Sequence, residues 1–276
     1  MRKIVADSSA DTLTMAGADF ASAPLTIVTD EKEYVDDAAL DVGAMVENLL
    51  KYNGRSSTAC PGVGEWLAAF GDAEEVFCVT ITGNLSGSHN AAVIAAETYM
   101  EQHPDRRVFV LDSLSTGPEM RLLLERLRDD VTAEMDFEAI CDDVSAYSAQ
   151  TGLLFVLESM KNLANNGRVS RLAATAAGLL GIRAVGKASD VGTLEMLEKC
   201  RGAKKAQECV VQNMLDLGYA GGAVRISHVG NEEAAQSLRD ALTERYPAAD
   251  IQVYGARGLC SFYAEKGGLL IGFEKE

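Results

Sequence analysis

A two-domain α/β protein is what this chain predicts: an N-terminal three-layer α/β/α domain with a mainly parallel sheet over residues 1–150, then a smaller C-terminal two-layer α/β domain with a mixed sheet over residues 151–276. Three observations point there. Through the first half, short apolar runs rich in β-branched residues alternate with runs of helical period, the pattern of a parallel sheet covered on both faces. The composition shifts at Ser148-Ala149-Gln150-Thr151-Gly152, as at a domain boundary. At 276 residues and 47% hydrophobic content, the chain is long enough for about two domains of roughly 150 residues each.

Lys3-Ile4-Val5-Ala6 reads as a strand ending in the polar cluster Asp7-Ser8-Ser9-Ala10-Asp11, as at the carboxyl end of a parallel strand. Ala23 to Val28 reads as one extended stretch, and Asp30 to Tyr34 as a turn into a short return strand. Val42, Met45, Val46, Leu49 and Leu50 recur at helical spacing until Asn53-Gly54 breaks the pattern. Arg55 to Gly62 is a hydroxyl-rich loop leading into a helix, with Pro61 in the first turn. Val76 to Ile81 is a strand, and Ala92, Ala95, Ala96 and Tyr99 form the apolar stripe of a helix that starts near Ser86 to Ser88. After a strand at Val108 to Leu111, Thr116 and Glu119 have capping-box spacing ahead of a helix carrying Met120, Leu123, Leu124, Leu127 and Val131. Phe137, Ile140, Cys141 and Val144 mark one helix more. Right-handed crossovers then line up the Asp7, Thr58, Ser86 and Asp112 loops along one sheet edge.

In the second half Leu153 to Leu157 is a strand and Ser159 to Ala164 a short helix stopped by Asn165-Asn166-Gly167. Ser170 begins a helix of small residues through Leu180, apolar on most of its surface, which implies burial or, as the second alternative, a cavity wall. Ile182 to Ala188 and Thr193 to Leu197 pair around the Ser189 to Gly192 turn. A helix over Ala203 to Leu217, a strand at Val224 to Val229, a helix from Asn231 and a strand at Ile251 to Tyr254 follow. A polar-aromatic segment, Gly258 to Lys266, precedes the closing strand at Leu269 to Phe273.

Composition removes several functions. A formal net charge of −16 opposes nucleic acid and anionic membrane surfaces. Met-Arg-Lys-Ile-Val-Ala-Asp contains no apolar stretch of signal-peptide length, and no later run is long enough for stable membrane insertion, so a cytoplasmic protein is expected. The six cysteines form no C-x-x-C pair and no Cys/His cluster of zinc spacing. Without a Gly-rich phosphate loop or a carboxylate cluster either, neither metal nor cofactor is expected.

The stretch most suited to chemistry is the turn Asn84-Leu85-Ser86-Gly87-Ser88 between strand and helix. A helix start leaves backbone N–H groups without partners, its dipole favours an anion, and Gly87 lets a ligand approach the backbone. The plainer reading, which this stretch alone favours, is that Ser86 or Ser88 caps the helix. Thr58 likewise sits where it can face a ligand or simply complete a polar turn. Arg168, after Asn165-Asn166-Gly167, is expected to be exposed.

Taken in order, Asp7-Ser8-Ser9-Ala10-Asp11, Thr58-Ala59-Cys60-Pro61, Leu85-Ser86-Gly87-Ser88, Asp112-Ser113 and Asn166-Gly167-Arg168-Val169 resemble the landmarks of the DegV family of bacterial lipid-binding proteins. The resemblance spans the chain and implies a long-chain fatty acid in a deep pocket between the two domains or in the second, lipid-pocket domain, its carboxylate held by the hydroxyls of Thr58 and Ser86 and a backbone donor at Gly87. It also implies a carrier without chemistry of its own, which presents the fatty acid to the ATP-dependent catalytic subunit of a fatty-acid kinase. Arg168 would then contact that partner or the transferred phosphate from the rim. Many members carry a C-terminal histidine on the head group; counting back from Gly267-Gly268 puts Ser261 there. The competing reading is a serine hydrolase acting on acyl esters with Ser86 as nucleophile. It lacks the Gly-x-Ser-x-Gly elbow and has only His89, His103 and His228 to draw on for a base.

Overall fold

The computed structural model describes residues 1–170 and 181–276. The small-residue helix expected from Ser170 through Leu180 falls on 171–180, outside the described residues. The first half runs β1 (Arg2–Asp7), β2 (Phe20–Ala23), β3 (Thr26–Thr29), β4 (Glu33–Val35), α1 (Val42–Lys51), β5 (Ser56–Ala59), α2 (Val63–Phe70), β6 (Glu75–Thr80), α3 (Ser88–Gln102), β7 (Arg107–Asp112), α4 (Gly117–Thr132) and α5 (Phe137–Ser148). Strands β2-β1-β6-β7 form a parallel sheet in that order. Strand alternation makes both faces apolar. Val76 and Cys78 pack with Trp66, Phe70, Ala92 and Tyr99 of α2 and α3, whereas Phe77 and Val79 pack with Met120, Leu123, Ile140 and Val144 of α4 and α5. The three-layer arrangement follows directly from those two opposed sets.

Three local expectations are corrected. The single extended stretch divides at Pro24, which has no N–H for a ladder, and the chain passes from the parallel sheet into a separate antiparallel one, β4-β3-β5. The hydroxyl-rich loop is partly a strand of that second sheet, in which Thr58 pairs with Ile27. A polar run can serve as a strand here because half of its residues face solvent. Pro61 precedes the N-cap Gly62 and so lies outside α2.

The second half runs β8 (Thr151–Leu157), α6 (Lys161–Asn165), β9 (Ile182–Ala188), β10 (Leu194–Arg201), α7 (Ala203–Asp216), β11 (Val224–His228), α8 (Glu232–Arg245), β12 (Ile251–Gly255), α9 (Gly258–Ala264) and β13 (Leu269–Glu274). Its mixed sheet has the order β10-β9-β8-β13-β11-β12, with only β11 and β12 parallel. Leu154, Val156 and Ile271 face α7 and α8; Leu153, Phe155, Leu157 and Leu270 face the other way. The polar-aromatic segment is helical over Gly258–Ala264 because Asp36 caps it, accepting from Gly258 N at 3.0 Å and Leu259 N at 2.9 Å. A cap so distant in the chain has no local sequence signal.

Helix α4 joins the halves, packing on the parallel sheet and against β13. Its expected capping box is absent: the Thr116 hydroxyl makes no cap bond, and the buried Glu119 carboxylate accepts from Thr151 Oγ1 at 2.8 Å. Beside it, a Cβ on Gly272 would stand 2.5 Å from Glu119 N and from Pro118 C. Gly272→Ala is therefore expected to cost about 2–3 kcal/mol of unfolding free energy, read as a lowered urea midpoint.

Asp11 lies at the same junction, accepting from Arg257 N at 2.7 Å, and burial pushes its pKa up to about 7. An acid whose folded pKa exceeds its unfolded value binds more protons when folded between those values, so its contribution to stability falls as pH rises from about 4 to 7. Asp11→Asn should flatten stability against pH in that window, which urea unfolding at successive pH values measures.

Candidate functional site

An apolar cavity lies between the carboxyl end of the parallel sheet and the inner face of the mixed sheet. Leu25, Ile81, Leu85 and Leu114 supply one wall, and Leu153, Phe155, Leu157, Leu194 and Leu270 the other. The tip of the β9–β10 hairpin closes over it: Thr82 Oγ1 donates to Gly192 O at 2.9 Å and Asn84 Nδ2 to Val191 O at 2.6 Å. Gly192 has φ +72°, and a Cβ there would sit 2.2 Å from Thr82 Oγ1, so only glycine permits the closure.

Thr58, Ser86, Arg168 and Tyr263 also line this cavity. Thr58 Oγ1 and Tyr263 OH share a hydrogen bond of 2.8 Å, and the Arg168 guanidinium lies 5.5 Å from the centre of the Tyr263 ring. Arg168 is the one charged side chain on the wall among the described residues. Burial raises the Tyr263 pKa, with Thr58 and Arg168 opposing, so the phenol stays a neutral donor. Such an array of hydroxyls beside a guanidinium suits a carboxylate or phosphate at the end of an apolar body.

The Ser86 turn is held from beneath by Asp7. This fully buried carboxylate accepts from Ile81 N at 2.9 Å, Ser88 Oγ at 2.7 Å and Ser9 N at 3.2 Å, and also from the Ser9 hydroxyl. Burial raises its pKa and those bonds oppose the shift. Asp112 fixes the other side through Gly83 N and Leu114 N. Of the four loops expected to converge, those of Asp7 and Asp112 are therefore scaffolding, and Thr58 and Ser86 reach the cavity.

Ser88 turns inward to Asp7 and does not line the cavity. Ser86 Oγ accepts from Ser88 N at 3.2 Å while lining the cavity, so it stabilises the helix start and keeps its proton free to donate. Gly87 is the N-cap of α3, exposed, with φ −74°; a Cβ there would approach Cys60 Sγ to 3.2 Å. It is not on the cavity wall.

Two expectations fail in this region. Ser261 is buried away from the cavity, donating to Ala256 O at 3.1 Å, because helical period turns it with Phe262 toward α1. Leu259, Cys260, Tyr263 and Ala264 form the cavity face of α9 instead. Their spacing is the signal that reading this segment as a helix would have supplied, and Tyr263 is the residue it would have found. Arg168 is not a free rim residue: it is half-buried, with Nε donating to Leu85 O at 3.3 Å and Nη1 to Asn166 O at 2.7 Å.

No histidine is hydrogen-bonded to Ser86 among the described residues. His89 Nδ1 shares a bond with Thr80 Oγ1 at 3.1 Å, His228 Nδ1 accepts from Asn231 N at 3.4 Å, and His103 packs edge-on against Tyr99.

A family model described as DegV, an uncharacterised protein family, matches residues 1–276. The chain belongs to the DegV family. A DegV domain-containing protein of Streptococcus pneumoniae is 45% identical over 99% of this DegV chain and 98% of its own length. A DegV family structure from Eubacterium eligens, loaded with heptadecanoic acid, superposes with a TM-score of 0.98 at 46% identity, covering 100% of both chains. The Streptococcus pneumoniae Fatty Acid Kinase (Fak) B3 protein, loaded with linoleic acid, gives 0.97 at 45% identity, covering 100% of this chain and 99% of that one. The two-domain DegV fold expected from the sequence is the fold observed. Among its described residues, no helix is long and apolar enough to cross a membrane.

Proposed function

We propose that this DegV-family protein binds one long-chain fatty acid and presents its carboxylate to a fatty-acid kinase. The observation that carries this reading is the cavity itself, with apolar walls and with Thr58, Ser86, Tyr263 and Arg168 among its lining, in a chain 45% identical to the linoleate-loaded Fak B3 protein. Thr58 and Ser86 donate to the carboxylate, the start of α3 at Gly87 adds its dipole, and Tyr263 takes the place at first assigned to Ser261. Burying ~14 methylenes at about 0.8 kcal/mol each provides roughly 11 kcal/mol before ordering costs. Chain burial thus sets affinity, and the polar side chains set which end points outward.

The same reading makes the protein a cytoplasmic carrier rather than an enzyme; among the described residues no histidine is hydrogen-bonded to Ser86 to activate it. It divides the chain into domains 1–150 and 151–276 with the ligand between them. Arg168 is placed to steady the transferred phosphate, because a planar guanidinium matches phosphate oxygens. Mass spectrometry of lipid extracted from the purified protein tests the reading: a fatty acid at about one per chain is expected, and acyl esters turned over with a covalent adduct on Ser86 would replace the carrier with a hydrolase. Arg168→Ala should slow acyl phosphate formation by a supplied kinase subunit; equal rates would remove that role.

A further inference from the structure

Strand β10 carries a bulge between Met196 and Glu198, where its register against β9 shifts. Ahead of the bulge, Leu194 and Met196 pack on the cavity side of the sheet; beyond it, Cys200 belongs to the core under α7, as does Leu197. In a regular strand Leu197 and Cys200 would lie on opposite faces. The extra residue resets the alternation and turns Glu198 and Cys200 together toward α7. Cys209, on the inner face of α7, meets them there, its Sγ donating to Glu198 Oε2 at 3.3 Å.

We propose that Glu198, Cys200 and Cys209 form a binding site for a thiophilic divalent cation of the zinc class. One carboxylate oxygen and both sulfurs lie within 4.8 Å of one another. A tetrahedral zinc with Zn–S of about 2.3 Å needs its sulfurs about 3.7 Å apart, so closing on the ion requires movements of roughly an ångström. Both thiols are buried, and the exposed Glu198 leaves an entry path and room for a water as fourth ligand. Asn213 Nδ2 donates to Cys209 Sγ at 3.3 Å and to Cys209 O at 2.8 Å, an outer contact that orients the sulfur. Lys205 Nζ, 3.9 Å from Glu198, offsets part of the negative charge that two thiolates and a carboxylate leave around a divalent ion.

A divalent cation that binds here displaces both thiol protons. Spacing rules for zinc motifs pass over the site because its cysteines sit on a strand and a helix brought together only by the fold.

The test uses the full chain, reduced, with the exposed Cys60 replaced by serine so that this thiol does not report. Titration with Cd²⁺ is expected to produce a sulfur-to-cadmium charge-transfer band saturating at one ion per chain, which Zn²⁺ competes away. Affinity should strengthen about a hundredfold per pH unit, because two thiol protons leave. Cys200→Ser/Cys209→Ser should weaken it by at least a hundredfold, and Glu198→Gln by about tenfold, with thermal melts confirming that each variant is folded. A parent that develops no band overturns the proposal without reference to any variant, as does a folded double cysteine variant that binds cadmium like the parent.

Discussion

The Thr58→Ala/Ser86→Ala double variant is expected to bind a long-chain fatty acid at least about a hundredfold more weakly than the parent. On the proposed reading each hydroxyl would contribute a charge-assisted hydrogen bond worth roughly 1.5–3 kcal/mol, and removing both would leave the carboxylate desolvated beside Tyr263 and Arg168. Stability should change by only about 1 kcal/mol, because both side chains are half-buried and Ser86 supports the turn through one bond. Ser261→Ala is the matched control: its hydroxyl is spent on Ala256 O outside the cavity, so affinity should equal the parent's. Fluorescent fatty-acid displacement separates the two. An unchanged affinity in the double variant removes these hydroxyls from the site.

Asp7→Ala is expected to lower unfolding free energy by about 3 kcal/mol, the largest loss from any one polar side chain discussed above. Deleting the carboxylate strands Ile81 N, Ser88 Oγ and both Ser9 donors in the buried interior, at about 1–3 kcal/mol for each group left unpaired. Part of that is offset, because burial already disfavours the ionised carboxylate. Asp7→Asn, which keeps one acceptor oxygen, should fall between. Fatty-acid affinity should drop in parallel, since Asp7 fixes the strand end and helix start that hold Ser86 between them. Guanidinium unfolding measures the first effect; a loss below about 1 kcal/mol would show that the turn holds itself.

What was legible in the sequence was whatever repeats locally. Phe77 and Val79 alternate with Val76 and Cys78, and Ala92, Ala95, Ala96 and Tyr99 recur at helical period, so the central strand and helix could be placed from their own residues. Pro24 and the Ser56–Ala59 strand were misread for a different reason: their conformation is set by partners elsewhere, the missing ladder donor in one case and pairing with Ile27 and Val28 in the other. Helix α9 was missed because its cap is Asp36, and with it went the period that puts Tyr263, not Ser261, at the cavity. Arg168 was read as exposed because Asn165-Asn166-Gly167 is a turn, but Leu85 O and the Tyr263 ring hold its side chain inward. Of the site, Thr58 and Ser86 were visible because each ends or follows a recognisable element; the contact between them and α9 is a product of the fold.

The most direct measurement is a crystal structure of this protein with oleate bound. The acyl chain should fill the cavity between Phe155, Leu157 and Leu270 on one side and Leu25 and Ile81 on the other, with the carboxylate within about 3 Å of Thr58 Oγ1 and Ser86 Oγ. A carboxylate found elsewhere on the protein, or an acyl chain lying outside this cavity, would contradict the account.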